Sequence, residues 1–348
     1  MSAQTFAFEQ TKAPASLAVS FRVILGLYAI IPLCLLLQGL DSLLWDHYLL
    51  KNLPSSPRHF LLFQILFGTP HILASSLILG TNSDYFHFFK TQIIAVSLAI
   101  ILVFGLGSLF LSYRTLYVLT VFLTVFHVLK QQHGIARGVC RLAPRYFYGL
   151  LGISVLAGIC IYLGIFLRNS LTPEESTWIK DSSTYLCLAL IVMTLISQQY
   201  VTTPFGKLFL WSNTLLVLSS FYFYRQEYYL LAIMIPRVVH DATAYIFYVT
   251  HDYNREQQHP GNPLYRLAER CNVHVFLVLP LLSFALTFLL QTYGDMLIQV
   301  SMQYLFSWEV NKAITVGLIG YLSLMHYFME GLTWKQGSPY RQFIKFKM

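Results

Sequence analysis

The chain has 348 residues, 56% of them hydrophobic and only 11% charged, with a mean hydropathy of +0.58 and a net charge of +8. Soluble domains carry roughly 25% charged residues, so this chain lacks the charge to coat a water-facing surface of its size. Its basic residues form no run with interleaved aromatics, which argues against a nucleic-acid partner, and five cysteines with no CxxC pair argue against a disulfide framework.

Taken in order, the apolar runs predict ten membrane-spanning helices: Leu17–Leu37, Phe60–Leu79, Gln92–Leu111, Leu116–Leu129, Tyr148–Leu167, Thr184–Gln198, Leu208–Phe223, Tyr228–Val249, His274–Leu290 and Ala313–Trp334. The fourth and sixth are the shortest. The polar stretch before Leu17 and the length of the first run do not fit a cleaved secretory signal. No linker or charge block divides the chain, so residues 1–348 read as one integral membrane domain, an all-α polytopic helical bundle. The basic tail 335–348 follows a helix break at Gly337-Ser338-Pro339 and is expected to lie against the inner leaflet.

Ten crossings put both termini on one side. That side collects fifteen of the 23 Lys and Arg, the opposite side seven, and Arg237 falls within a span. Because cytoplasmic loops carry the excess of Lys and Arg, both termini are expected in the cytoplasm. Pro70 and Pro236 are expected to kink their helices near the residues that matter most.

Those residues are histidines. Eleven is many for a chain so poor in charge. His47, His59, His87, His259 and His274 sit in loops or at span edges. His71, His127, His133, His240, His251 and His326 sit inside or close to spans, where an ionisable group is costly and usually functional. His71, His127, His240 and His326 lie eleven to thirteen residues into even-numbered spans, which all run outside to inside. At the rise of an α-helix the four imidazoles share one level, roughly 16–20 Å below the outer surface. A shared metal ion held between helices accounts for that coincidence. Interhelical hydrogen bonding and a proton relay are the competing accounts.

Nearby polar groups supply further candidates. Glu330 follows His326 by four and Gln131 follows His127 by four, so each pair shares a helical face. Asp241, beside His240, would orient a ligand or bind a second ion. His133 lies about 120° around the helix from His127, and joins its ion only if the helix unwinds near Gly134. His251 is three turns from His240, too far for one ion, and belongs to a second site or the cytoplasmic mouth. The candidate metal ligands are thus His71, His127, His240, His326, His133 and His251. Glu330, Asp241 and Gln131 are the candidate catalytic residues.

At these histidines the chain resembles the bacterial Brp/Blh β-carotene dioxygenases, which spread single histidines over several membrane helices. Phe126-His127-Val128-Leu129-Lys130-Gln131-Gln132-His133-Gly134 is similar to their paired-histidine segment. PHILAS (Pro70–Ser75), HVLKQQHG (His127–Gly134), HDATAY and HDYNR (His240–Arg255) and HYFMEGLTWK (His326–Lys335) resemble a group of bacterial polytopic membrane proteins. The resemblance implies a bacterial inner-membrane location and non-haem iron, one or two ions, with zinc or copper as alternatives. It implies an oxygenase or oxidoreductase acting on a lipid-soluble substrate such as an isoprenoid, carotenoid or acyl chain. The electron donor stays open, and membrane lipids are the other expected contacts. The competing function is a metal-ion or proton transporter using the same histidines.

Overall fold

The computed structural model describes residues 16–55, 68–259, 261–309 and 314–347. Among the described residues the fold is all-α apart from one short strand pair. In order, the elements are β1 (Ala18–Ser20), α1 (Phe21–Leu27), α2 (Ile30–Leu44), α3 (Tyr48–Asn52), α4 (Thr69–Thr81) and α5 (Ser83–Ile100). They continue with α6 (Tyr113–Cys140), α7 (Pro144–Phe166), α8 (Pro173–Gln198), α9 (Pro204–Arg225) and α10 (Tyr229–Gln258). Last come α11 (Pro263–Arg270), α12 (Val275–Phe306), α13 (Ile314–Thr333) and β2 (Lys345–Lys347). A π-turn and a 3-10 turn carry α5 on to Leu109.

Among the described residues, six helical segments are long and apolar enough to cross a bilayer: Phe21–Leu44, Ser83–Leu109, Pro144–Phe166, Pro173–Gln198, Tyr229–Gln258 and Val275–Phe306. The distribution of side chains agrees with that solvent. Leu98, Leu102, Leu281 and Phe288 are exposed, whereas His71, His240, Ser154, Thr214, Thr243 and His251 are fully buried. So large an apolar exterior is untenable in water and normal in lipid.

Local chemistry sets the helix boundaries. Pro144, Pro173 and Pro204 open α7, α8 and α9, where the missing N–H costs nothing. Thr172 and Glu175 close a capping box on α8. Ser112 Oγ accepts the Thr115 N–H at the start of α6, and Arg141 ends that helix in the left-handed conformation.

Two expectations change. The fourth and sixth spans are not short: α6 has 28 residues and α8 has 26. Their polar ends stay helical because no proline interrupts them, and hydropathy undercounts such ends. Pro70 is no kink, because it lies in the first turn of α4, where proline is tolerated. Pro236 does lie within α10. The tail packs against the bundle. Tyr340, Phe343 and Ile344 are buried, while Lys345 and Lys347 stay exposed. The residues from Phe60 to Phe67, on which the depth of His71 was counted, lie outside the described part.

The first and last described segments meet. β1 and β2 pair in parallel, with Ala18 opposite Lys345 and Ser20 opposite Lys347. Asn254, near the end of α10, ties both ends down: its Nδ2 donates to Leu17 O and Phe343 O, and its Oδ1 accepts the Leu17 N–H. α10 is the central helix, with 67% of its most apolar window buried against 6% for the helix beginning at Ser83.

Candidate metal centre

Four helices form a ring in which each packs on two neighbours: α4 on α10, α10 on α6, α6 on α13, and α13 on α4. Each turns one histidine inward. The imidazole centroids repeat that order around a square: His71 to His240 5.1 Å, His240 to His127 4.9 Å, His127 to His326 4.7 Å, and His326 to His71 4.8 Å. Neighbouring rings are steeply inclined, by 69° to 89°. One ring nitrogen from each histidine can be chosen so that all four lie within 4.8 Å of one another. Nitrogens about 2.1 Å from a common ion are about 3.4 Å apart across a tetrahedral edge and about 4.2 Å apart across a square. The cluster is therefore about 0.6 Å wider than a square of bound nitrogens and about 1.4 Å wider than a tetrahedron of them. The four buried histidines could hold a metal ion.

Hydrogen bonding orients the rings for that task. Ser75 Oγ donates to Ile72 O at 2.9 Å and lies 2.6 Å from His326 Nδ1. Its proton is spent on the carbonyl, so His326 Nδ1–H donates to Ser75 and Nε2 keeps its lone pair. His71 Nδ1 lies 3.1 Å from Asp241 Oδ1, near enough for an ion pair but without the geometry of a hydrogen bond. A carboxylate behind a ligand histidine is the usual support of a metal site. His326 Nε2 and His127 Nε2 are 3.1 Å apart, and Glu330 Oε2 is 3.2 Å from His127 Nε2 and 4.0 Å from His326 Nε2. These spacings fit a hydrogen bond from a His127 Nε2–H, and equally a cation in place of that proton.

Unmet polar atoms fit the same ion. Both ring nitrogens of His71 and of His240 are buried without a hydrogen-bond partner, as are both carboxylate oxygens of Asp241 and Nε of Arg237. An unsatisfied buried polar group costs about 1–3 kcal/mol, and natural proteins keep few of them. Concentrated on these residues, they mark a place for a bound group. Arg237 Nε lies 3.3 Å from Asp241 Oδ2, one turn away on α10, and neutralises the carboxylate. Glu330 is held by Tyr248, whose hydroxyl donates to Oε1 at 2.8 Å. Tyr327 stacks on His127 at 4.6 Å.

A cavity of about 200 Å³ lies against His326 and Glu330, between α4, α5 and α13. Its remaining wall is mostly aliphatic and aromatic, including Ile78, Leu79, Ile93 and Met325. It exceeds the roughly 150 Å³ apolar cavity known to take benzene, so a ring or a chain segment fits.

Other sequence candidates lie apart from the cluster. His133 points away because α6 runs unbroken through Gly134, and its Nε2 pairs with Ser154 Oγ at 3.0 Å. His251 binds Tyr85 and Asp252. Among the described residues, neither belongs to the group whose ligand atoms converge. Gln131 accepts from Gln132 at 3.1 Å. Asp241 and Glu330 do join the centre. Ser75 escaped the sequence reading as a candidate, and Tyr248 was read only as part of a helical stripe with Asp241, Tyr245 and Asp252. Ser75 sits in the PHILAS segment, one helical turn beyond His71, and that spacing was the available signal.

Comparison with models of known families, with curated proteins and with solved structures finds no match to this chain.

Proposed function

We propose that this protein is a membrane-embedded, histidine-ligated non-haem iron oxygenase or related oxidoreductase acting on a lipid-soluble substrate such as an isoprenoid, carotenoid or acyl segment. The observation that carries the reading is the square of buried imidazoles, with Glu330 beside it, against an apolar cavity. His71, His127, His240 and His326 would hold the ion. Neutral nitrogen ligands with one carboxylate suit Fe(II), and zinc or copper are the chemical alternatives. Bound iron would supply the one-electron and dioxygen chemistry that side chains lack.

The chain's own groups do the rest. Asp241 lies behind His71, and Ser75 is placed to fix the tautomer of His326. Glu330 Oε2 is placed to hold or move a proton beside His127. The aliphatic wall keeps water from the reacting atoms. Phe86 and Gly80 line the cavity and are exposed on the outer face, which supports entry from the lipid.

In this reading ten helices cross a bacterial inner membrane with both termini in the cytoplasm. The paired chain ends support an even number of crossings, and the Lys and Arg bias supports the direction.

The test is metal content and oxygen uptake of protein purified in detergent. Near-stoichiometric iron, lost in His240→Ala, with oxygen consumed on adding an isoprenoid, supports the proposal. Metal flux into proteoliposomes with no oxygen consumed by any lipid replaces it with transport.

A further inference from the structure

Two carboxylates stand at the histidine square, and only one of them has a cation to balance it. Asp241 is 4% exposed and Glu330 7%, and a carboxylate buried that deeply has to be paired or to coordinate a metal. Asp241 has the Arg237 guanidinium at 3.3 Å. Among the described residues, Glu330 has no Lys or Arg within ion-pair distance, and its ionisable neighbours are His127 and His326. Lys130, one turn from His127, has its Nζ over the Phe126 ring at 5.2 Å. Tyr248 donates to Oε1 at 2.8 Å, so Oε2 is the oxygen left to meet the imidazoles.

Three atoms fix a position for an ion. His127 Nε2 is 3.1 Å from His326 Nε2 and 3.2 Å from Glu330 Oε2, and the third side of the triangle is 4.0 Å. The circle through these atoms has a radius of about 2.0 Å, the length of a bond from nitrogen or oxygen to a divalent first-row metal. A cation at its centre is at bonding distance from all three without any change in their spacing. Seen from that centre, His326 and Glu330 lie about 157° apart, with His127 about 100° from each. Tetrahedral ligands stand about 109° apart, so this T-shape belongs to a five- or six-coordinate ion. His326 and Glu330 also line the cavity, which puts that position at the cavity's edge.

We propose that Glu330 is itself a ligand of the ion, bound through Oε2 alone, nearly opposite His326 and with His127 between them. This goes beyond the four-histidine centre and rests on the reading of those histidines as ligands. In metal-free protein the same oxygen accepts the proton of His127 Nε2, and the ion takes that proton's place. The carboxylate offsets one charge of a divalent ion that four neutral imidazoles leave whole. Tyr248 is a positioning residue, occupying Oε1 so that the carboxylate binds through one oxygen. Four nitrogens and one oxygen leave the sixth position of an octahedral ion for a small molecule. The metal class is therefore a five- or six-coordinate ion such as Fe(II) or Mn(II), in preference to tetrahedral zinc.

The experiment uses full-length protein in detergent, stripped with a chelator and titrated with Co(II), whose visible bands are intense in a tetrahedral site and weak in a five- or six-coordinate one. Wild type should bind Co(II) with weak bands. Glu330→Gln keeps the side chain's size and an acceptor for Tyr248 but loses the charge. It should bind Co(II) more than about 100-fold more weakly, beyond the 10–100-fold cost of losing a partner behind a ligand, and its bands should shift. Its metal-free melting temperature should equal or exceed that of the wild type, because an unbalanced buried charge is gone. Intense tetrahedral bands in the wild type overturn the proposal without any variant, as does a folded Glu330→Gln with wild-type affinity and bands. Either result leaves a histidine-held ion standing. A wild type that binds no Co(II) overturns the reading of the histidines and, with it, the ligand role of Glu330.

Discussion

Replacing His240 with alanine tests the histidine square by thermodynamics rather than by activity. In metal-free protein the ring contributes little. Its two nitrogens are buried and unpaired, a penalty of about 1–3 kcal/mol each. Truncating a buried aromatic ring costs about 3–5 kcal/mol. The two terms largely offset, so chelated wild type and chelated His240→Ala should differ by no more than about 3 kcal/mol. With metal the balance changes. An ion present at 100 times its dissociation constant stabilises the fold by about 2.7 kcal/mol. If losing one ligand weakens affinity about 100-fold, the same ion stabilises the variant by only about 0.4 kcal/mol. At about 2–4 °C per kcal/mol, chelation should lower the wild-type melting temperature by about 5–10 °C and leave the variant nearly unmoved. Differential scanning fluorimetry in detergent, with and without chelator, measures both. A chelator that moves both proteins equally, or neither, refutes a common ion at these four rings.

Asp241→Asn should destabilise the fold by about 3–5 kcal/mol, because it strands the buried Arg237 charge; adding Arg237→Met should restore most of the loss in thermal melts, while metal content stays low because His71 still lacks its carboxylate. Gly158→Ala puts a Cβ 2.7 Å from Val125 Cγ1 and 3.4 Å from Leu129 Cδ1, on the helix that carries His127. It should cost about 1–3 kcal/mol by overpacking, whereas Gly152→Ala, with nothing within 4 Å, should be close to neutral in the same melts. Cys271 is the exposed one of the five cysteines, so in sealed vesicles a membrane-impermeant maleimide should label it from the cytoplasmic face only; labelling from the opposite face overturns the proposed topology.

The histidine cluster was legible in the sequence to an unusual degree, for a physical reason. A buried histidine in a membrane helix is costly enough that its presence is informative, and the constant rise of a helix turns residue counts into depth. His71, His127, His240 and His326 could be gathered at one level from counting alone, and helical spacing placed Glu330 with His326. Counting was blind to azimuth between helices. It could not say that α4, α10, α6 and α13 pack in a closed ring, nor in what order. His133 failed for a reason visible in advance: joining the cluster required α6 to unwind near Gly134, and glycine permits that without compelling it.

What the sequence by itself determined is the solvent and the inventory: too little charge for water, helices long enough for lipid, and a set of imidazoles too expensive to bury idly. Tertiary structure decided which lone pairs face one another. The serine behind His326, the tyrosine behind Glu330, the cavity beside them and the pairing of the chain ends all arise between segments as far as 329 residues apart, as in the Lys345–Ser16 contact. No local periodicity encodes such contacts, because side-chain direction across helices depends on how ridges and grooves settle in three dimensions.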